Sequence, residues 1–285
     1  MGRPNVGKST LVNALLGQKV AAVSPRPQTT RKRQMGILTL DSAQAIFVDT
    51  PGIHQPRHKL GENMNREAID TLEESDLILF VVEADHEPTP EDHMLADLLT
   101  RMKRSVPVIL TLNKSDLTPE DVLAKHVEIY SALAPQAELL PVSATQGNNL
   151  DRLLEKILEY LPEGIPFFPE GQVTDLFERD IAADLIREAA LNILRDEIPH
   201  GIAIRIDQYV ERGDQGAYIE ATLFVERESH KPIVIGQGGA MLKKIGSAAR
   251  LEIEKMSGRK VFLRLRVKVR KNWRDDEKVL RWFGF

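Results

Sequence analysis

Residues Gly2-Arg3-Pro4-Asn5-Val6-Gly7-Lys8-Ser9 spell a complete G-x-x-x-x-G-K-[ST] loop, the string that most restricts how this chain can fold. Such a loop hangs from the end of a buried strand and opens directly into a helix. Its successive backbone N–H groups wrap phosphate oxygens, with the positive end of the helix dipole beneath them. Lys8 has the reach for the outer phosphates, and the Ser9 hydroxyl is placed to ligate Mg²⁺. The phosphate-contacting set is therefore Gly2, Asn5, Val6, Gly7, Lys8, Ser9 and Thr10. The loop predicts an α/β fold, yet only Met1 stands before it, so the sheet is expected to lack its first strand.

A chain of 285 residues with 42% hydrophobic and 28% charged residues suits two globular domains. It has no cysteine, which excludes a disulfide scaffold and thiolate metal sites and fits a reducing cytosol. No apolar run is long enough to cross a membrane, and no signal peptide is expected ahead of the loop. The net charge of −4 hides an asymmetry: residues 231–285 carry +10 and the remainder −14. That split suits either a polyanionic partner for the C-terminal end or an ordinary solvated basic face.

Helical and strand patterns alternate through the first 160 or so residues. Leu11, Val12, Leu15 and Leu16 form one stripe of a helix stopped near Gly17. Residues 35–40 and 44–49 read as two strands joined at Asp41-Ser42. The apolar runs 77–82, 108–112 and 139–142 read as strands between helices. Continuous apolar strands of this kind belong to a mostly parallel sheet covered on both faces. A helix from Asn148 to about Leu161 closes the first domain, placed at 1–161. Residues 162–171 hold three prolines and two glycines, so 162–174 reads as a linker. The second domain, 175–285, shows an α-β-β-α-α-β rhythm: a helix at 175–197, alternation at Ile202, Ile204 and Ile206, and a Gly213-Asp214-Gln215-Gly216 turn into a strand at 217–226. A helical turn at 231–235, a helix at 239–256 and a strand at 260–270 complete it.

Three later motifs turn the phosphate loop into a guanine-nucleotide site. Asp49-Thr50-Pro51-Gly52 gives D-x-x-G, where Asp49 can hold Mg²⁺ through water and the Gly52 N–H can sense a γ-phosphate. Asn113-Lys114-Ser115-Asp116 gives N-K-x-D. Its Asp116 carboxylate can accept two hydrogen bonds from guanine, and adenine would leave that carboxylate unpaired. Ser143-Ala144 follows a third strand, where a backbone N–H could meet guanine O6. Alone, D-x-x-G and Ser-Ala are common by chance and Asp49 could be a simple turn residue, while N-K-x-D is moderately specific. All of them in this order, each at a strand's C-terminal end, indicate a GTP site. Asn113, Lys114, Asp116, Ser143 and Ala144 are its base-reading set.

The segment Ser24-Pro25-Arg26-Pro27-Gln28-Thr29-Thr30-Arg31 suits a switch loop whose hydroxyl or carbonyl reaches Mg²⁺. Thr30 is favoured over Thr29, which makes the metal set Ser9, Thr30 and Asp49. Ile53 follows Gly52 and cannot orient a water, so intrinsic hydrolysis is expected to be slow. No catalytic side chain is assigned, and His54, His58, His86 and His93 read as solvated loop residues.

In the basic part, Ile235-Gly236-Gln237-Gly238-Gly239 places G-x-x-G directly before an amphipathic helix. Glycines admit a nucleic-acid backbone, the helix start attracts phosphate, and Lys243 and Lys244 lie in the first turns. With α-β-β and α-β elements around it, this matches the KH clamp for about four single-stranded nucleotides. In the last strand Arg264, Arg266, Lys268 and Arg270 point one way, as a ladder for phosphates or as charge guarding an edge strand. The RNA set is Gly236, Gln237, Gly238, Gly239, Lys243, Lys244 and these four cations.

The chain closely resembles the bacterial Era family of GTPases. The resemblance rests on residues 2–10, 27–31, 49–54, 113–116, 142–144, 235–239 and 267–277, and covers essentially the whole chain. It implies a P-loop GTPase domain followed by an α+β type II KH domain, with GTP or GDP and Mg²⁺ as ligands. It further implies binding of the KH domain to the 3′ end of 16S rRNA and assistance to small (30S) subunit maturation. GTP would favour RNA binding and hydrolysis would release it. A monomer in the cytoplasm is implied, with peripheral association at the inner face of the cytoplasmic membrane. In related tRNA-modification GTPases the asparagine matching Asn5 coordinates potassium, which suggests the same role here. Relatives carry about a dozen more residues at the start, including an apolar strand. The absence of that strand is expected to weaken nucleotide binding, through a start placed too late or a true truncation. Two other readings remain open at this level: a constitutive RNA-binding module with an inert nucleotide domain, and a KH-like protein-interaction module.

Overall fold

The computed structural model describes residues 1–24, 26, 28–213 and 216–285. Pro25 and Pro27 of the expected switch loop, and Asp214 and Gln215 of the expected turn, lie outside the described residues. The chain forms two units. The first holds Met1–Ala21, Thr30–Gln55 and Asn63–Asp175, and the second holds Ala22–Thr29, Pro56–Glu62 and Leu176–Phe285. Residues 22–29 and 56–62 therefore group with the C-terminal part.

In the first unit α1 (Lys8–Leu16) starts at Gly7 (φ 94°) and stops at Gly17 (φ 67°), both left-handed. It buries Leu11, Val12, Leu15 and Leu16. Burial at about 1.5–3 kcal/mol per side chain holds a nine-residue helix that would not persist alone. An antiparallel hairpin follows, β1 (Gln34–Thr39) with β2 (Gln44–Asp49). The strands β3 (Ile78–Glu83), β4 (Val108–Asn113) and β5 (Glu138–Pro141) form a parallel sheet in the order β3-β4-β5. Every residue of β4 is buried, as a central strand covered on both faces requires. Ile109 packs with Leu11, Leu140 and Leu153 on one face, while Leu110 packs with Phe80, Leu95 and Tyr130 on the other. The covering helices include α2 (Lys59–Glu74), α3 (Pro90–Thr100), α4 (Glu120–Leu133) and α5 (Leu150–Tyr160).

Among the described residues β2 and β3 are not paired, so the mostly parallel sheet read from the sequence is a parallel sheet plus a separate hairpin. A cavity of about 1060 Å³ lies at this gap, lined in part by Leu11, Val12, Phe47, Leu79 and Ile157. Met1 sits at its edge in the parallel sense, its amino group donating to the Leu79 carbonyl at 2.6 Å and its carbonyl accepting from Val81 N–H at 2.9 Å.

The second unit runs α6 (Glu178–Ile193), β6 (Ala203–Glu211), β7 (Ala217–Val225), α7 (His230–Ile235), α8 (Ala240–Ser257), β8 (Val261–Val269) and α9 (Glu277–Trp282). Its sheet is ordered β6-β7-β8, with β6 antiparallel and β8 parallel to β7. Ile186 of α6 and Ile245 and Ile253 of α8 bury against Leu223 and Val267 of the sheet. Helix α6 ends earlier than its sequence pattern suggests, because Leu194 is extended and Asp196 is left-handed (φ 54°). Strand β6 outlasts the isoleucine alternation because a bulge between Ile206 and Gln208 carries it on. Helix α9, capped by the Asp276 carboxylate, was not visible in the sequence pattern. It is held by an aromatic cluster around buried Trp273, whose Nε1–H donates to the Gly201 carbonyl at 2.9 Å.

Candidate nucleotide and nucleic-acid sites

The first unit gathers the phosphate loop, D-x-x-G, N-K-x-D and Ser143-Ala144 at the C-terminal ends of its strands. Asn113 joins three of these loops. Its Nδ2–H donates to the Val6 carbonyl at 2.9 Å, and its Oδ1 accepts from the Ala144 N–H at 3.1 Å. Of the two backbone N–H groups of the segment expected to meet guanine O6, that of Ala144 is thus engaged by Asn113 and that of Ser143 by the Asn148 carbonyl at 3.1 Å. Ser143 is fully buried and accepts from the Gln146 N–H at 3.1 Å, which makes it a brace for its loop. Lys114 is left-handed (φ 64°), and Asp116 projects into solvent with its carboxylate open to a base.

The loop glycines are there for space as well as conformation. A side chain on Gly7 would strike the Asn113 amide, and one on Gly52 would meet the Pro4 nitrogen at 2.7 Å. Gly2 is buried against the Val81 carbonyl, Val6 is wholly buried, and Thr10 is half-buried in the first turn of α1. Asn5 is exposed with φ 69°.

Ser9, Thr30 and Asp49 converge as the sequence reading requires. Asp49 Oδ2 accepts from Ser9 Oγ at 2.6 Å and from Thr30 Oγ1 at 2.9 Å, and the two hydroxyls lie 2.9 Å apart. Asp49 Oδ1 is buried without a hydrogen-bond partner. Burial pushes the Asp49 carboxyl up, opposed by the Ser9 hydrogen bond and the Lys8 charge. Two hydroxyls and a carboxylate with an unsatisfied oxygen are hard donors that fit Mg²⁺. Lys8 folds back on its own loop, donating to the Gly2 carbonyl at 3.1 Å and the Arg3 carbonyl at 2.9 Å. Burial, more than any neighbouring charge, pushes its ammonium down to about 8. An incoming phosphate would supply the anion that this cation lacks.

Ile53 is buried in the core cluster with Ala68 and Leu72. His54 closes its own loop: its Nδ1 lies 2.8 Å from the Gly52 carbonyl, and Asn65 donates to its carbonyl at 2.7 Å. Glu83 escaped the sequence reading. It ends β3, is buried, and its two carboxylate oxygens bind Arg3 of the phosphate loop and Lys114 of the base loop. An acid closing an apolar strand was the only signal for it.

Within the second unit, buried Arg187 of α6 donates to the Gln28 carbonyl at 3.0 Å and also to the Thr29 carbonyl. Glu188 accepts from the Val23 N–H at 3.1 Å, and Ser24 Oγ donates to Asn192 at 2.8 Å. Val23, Ser24, Gln28 and Thr29 are thus strapped to α6 immediately before Thr30. No local pattern points to these partners, which lie about 160 positions away.

The G-x-x-G segment forms a 3₁₀ turn at Gln237–Gly239 between α7 and α8. Gly238 (φ 57°) and Gly239 (φ 83°) are left-handed with open space around them, whereas a side chain on Gly236 would meet Met241. Lys243 and Lys244 are exposed on the first turns of α8, and no acid lies in its first turn. The β8 cations do not join this clamp. Leu265 packs beside Gly246 of α8, so Arg264, Arg266 and Lys268 alternate onto the opposite face of the sheet. Glu220 pairs with Arg264 and with Arg266, each at 3.1 Å. Arg270 lies beyond the strand, exposed, with its N–H on the Val225 carbonyl at 2.8 Å.

Fold and sites together define a P-loop GTPase domain followed by a KH domain. Residues 1–114 match the family described as 50S ribosome-binding GTPase, and residues 197–274 match the KH domain family. The GTPase Era of Clostridium botulinum (strain Langeland) is 46% identical over 286 residues, spanning 100% of this chain and 96% of that protein. That of Heliobacterium modesticaldum is 48% identical over 285 residues, spanning 100% and 95%. A crystal structure of Era in complex with MgGDPNP and nucleotides 1506–1542 of 16S ribosomal RNA superposes with a TM-score of 0.94 at 42% identity, covering 99% of this chain and 96% of that one. Aquifex aeolicus Era bound to GDP·AlF₄⁻ gives 0.93 at 42% identity, with the same coverage. The chain belongs to the Era family of GTPases.

Proposed function

We propose that this chain is a GTP-switched RNA-binding factor that binds the 3′ end of 16S rRNA and assists maturation of the small ribosomal subunit. The observation that carries the reading is the convergence of Ser9, Thr30 and Asp49 around an unsatisfied carboxylate oxygen. These residues would hold Mg²⁺, which when bound neutralises charge on the outer phosphates of GTP. Lys8 and the loop N–H groups hold those phosphates, and Asp116 reads guanine. Water attacks the γ-phosphate and GDP leaves with phosphate. With Ile53 turned into the core, no side chain at that position orients the water, so turnover is slow. Asn5 is the proposed potassium ligand, and equal turnover in sodium and potassium buffers would count against it.

The RNA is taken by Gly236–Gly239 with Lys243 and Lys244, while Arg264, Arg266, Lys268 and Arg270 add attraction for phosphates. Thr29 is held by Arg187 and the next residue, Thr30, by Asp49, so a nucleotide that moves Thr30 pulls on the strap at α6. We place the action in the cytoplasm. No helix among the described residues is long and apolar enough to cross a membrane, so approach to the inner membrane face would be peripheral. The test is RNA affinity measured with GDPNP and with GDP, using the 1506–1542 RNA. The reading expects tighter binding with GDPNP and loss in Gly238→Asp. Equal affinity in both nucleotide states favours a constitutive RNA-binding module, and unchanged affinity in Gly238→Asp favours a protein-interaction role for the KH unit.

A further inference from the structure

The sheet face turned away from α8 carries features that the G-x-x-G clamp does not use. Strand register sets four cross-strand pairs there: Tyr218 with Phe262, Glu220 with Arg264, Thr222 with Arg266, and Phe224 with Lys268. The Tyr218 and Phe262 rings stack, with centroids 5.5 Å apart and planes 8° apart. The Arg212 guanidinium stands 5.2 Å from the Tyr218 ring, and Phe262 is 64% exposed. At the other end Arg205 lies 4.3 Å from the ring of Trp282, which is 48% exposed. Arg264, Arg266 and Lys268 run between these aromatic ends over about 20 Å, at roughly 3.3 Å per residue. The acids nearest them are Glu220, shared by two arginines, and Asp207, paired with Arg205. Two carboxylates against five cations leave the face positive.

Packing against Phe224 and Phe283 accounts for the buried part of Trp282, but not for Phe262. An aromatic ring that is mostly in water contributes little to the core, and the solvent face of such a sheet needs only polar residues. Flat aromatic surface beside cations in excess of the nearby carboxylates is instead what unpaired bases and their phosphates require. Duplex RNA hides its base faces and cannot use the stack.

We propose that this sheet face is a second nucleic-acid site, separate from the clamp, that takes single-stranded RNA. One base stacks on Phe262, phosphates follow Arg264, Arg266 and Lys268, and a further base reaches Trp282. The proposal rests on the RNA-binding reading of the KH unit and adds a second surface to it.

The experiment compares two fluorescein-labelled RNAs on the full chain. One is a five-nucleotide single strand that fills only the clamp, and the other is the 1506–1542 RNA. Phe262→Ala should weaken the long RNA about tenfold, as loss of a stacked base does, and leave the short one unchanged. Arg212→Ser should weaken the long RNA and leave the short RNA unchanged. Gly238→Asp should weaken both. Unaltered long-RNA affinity in Phe262→Ala and Arg212→Ser overturns the proposal, as does equal weakening of both RNAs, which would mean general damage to the unit. Failure of the unaltered chain to bind either RNA would instead defeat the RNA-binding reading, and this site with it.

Discussion

The Asn113 amide and the Val6 carbonyl are joined by a 2.9 Å hydrogen bond, and through it the base-reading loop holds the phosphate loop in place. Both residues are buried, so nothing in solvent can replace the bond. Asn113→Ala leaves the Val6 carbonyl and the Ala144 N–H unpaired. It should cost about 1–3 kcal/mol of stability in chemical denaturation and lower GDP affinity at least tenfold. A variant with parental stability and affinity would remove Asn113 from this role.

Lys8 sits at about 8 against an ordinary 10.5, because it is buried. Between those values the folded chain binds fewer protons than the unfolded one. The stability linked to Lys8 is therefore present above that window and falls as pH drops through about 8. Bound phosphate favours the charged lysine, so at pH 9 nucleotide binding should take up a proton. Titration calorimetry at pH 9 in two buffers of different ionisation enthalpy should give different heats. Identical heats would exclude linkage through Lys8.

Asp49 shows the opposite sign. Its carboxyl is raised by burial, so the folded chain holds the proton more tightly, and the stability linked to it is lost as pH rises above the ordinary carboxylate range. Asp49→Asn should raise the melting temperature of the nucleotide-free chain at pH 7.5, with the gain shrinking toward pH 4. The same substitution should abolish the Mg²⁺-dependent part of nucleotide affinity. A lower melting temperature at pH 7.5 would contradict the burial argument.

Arg187 holds the Gln28 and Thr29 carbonyls from a buried position. Arg187→Ala should speed amide exchange at Val23, Ser24, Gln28 and Thr29 several-fold while leaving β7 and β8 protected. Unchanged exchange there would mean that the strap is held by Glu188 and Asn192 alone.

The parts of the fold legible in the sequence were those governed by local pattern. Gly7 and Gly17 bounded α1, the apolar runs gave β3 to β5, and the motif spacing identified the loops around Asp49, Asn113 and Asp116. Long-range pairing was not legible. Arg187 reads as one more charge on α6, and only folding shows that it reaches Gln28. Glu83 likewise reads as a strand's polar end until Arg3 and Lys114 arrive at its two oxygens. The alternation along β8 was legible, and with it an apolar face against the helices and a ladder of Arg264, Arg266 and Lys268 on the other face. Glu220 of β7, which pairs with Arg264 and Arg266, was not.

The central claim is a guanine-selective site built from residues 2–10, 49–52, 113–116 and 143–144. Fluorescence of mant-GDP mixed with the full chain and Mg²⁺ tests it most directly. The account predicts a saturable change that unlabelled GDP reverses, that ADP in hundredfold excess does not reverse, and that Asp116→Ala removes. No change on mixing, or equal displacement by GDP and ADP, would contradict it.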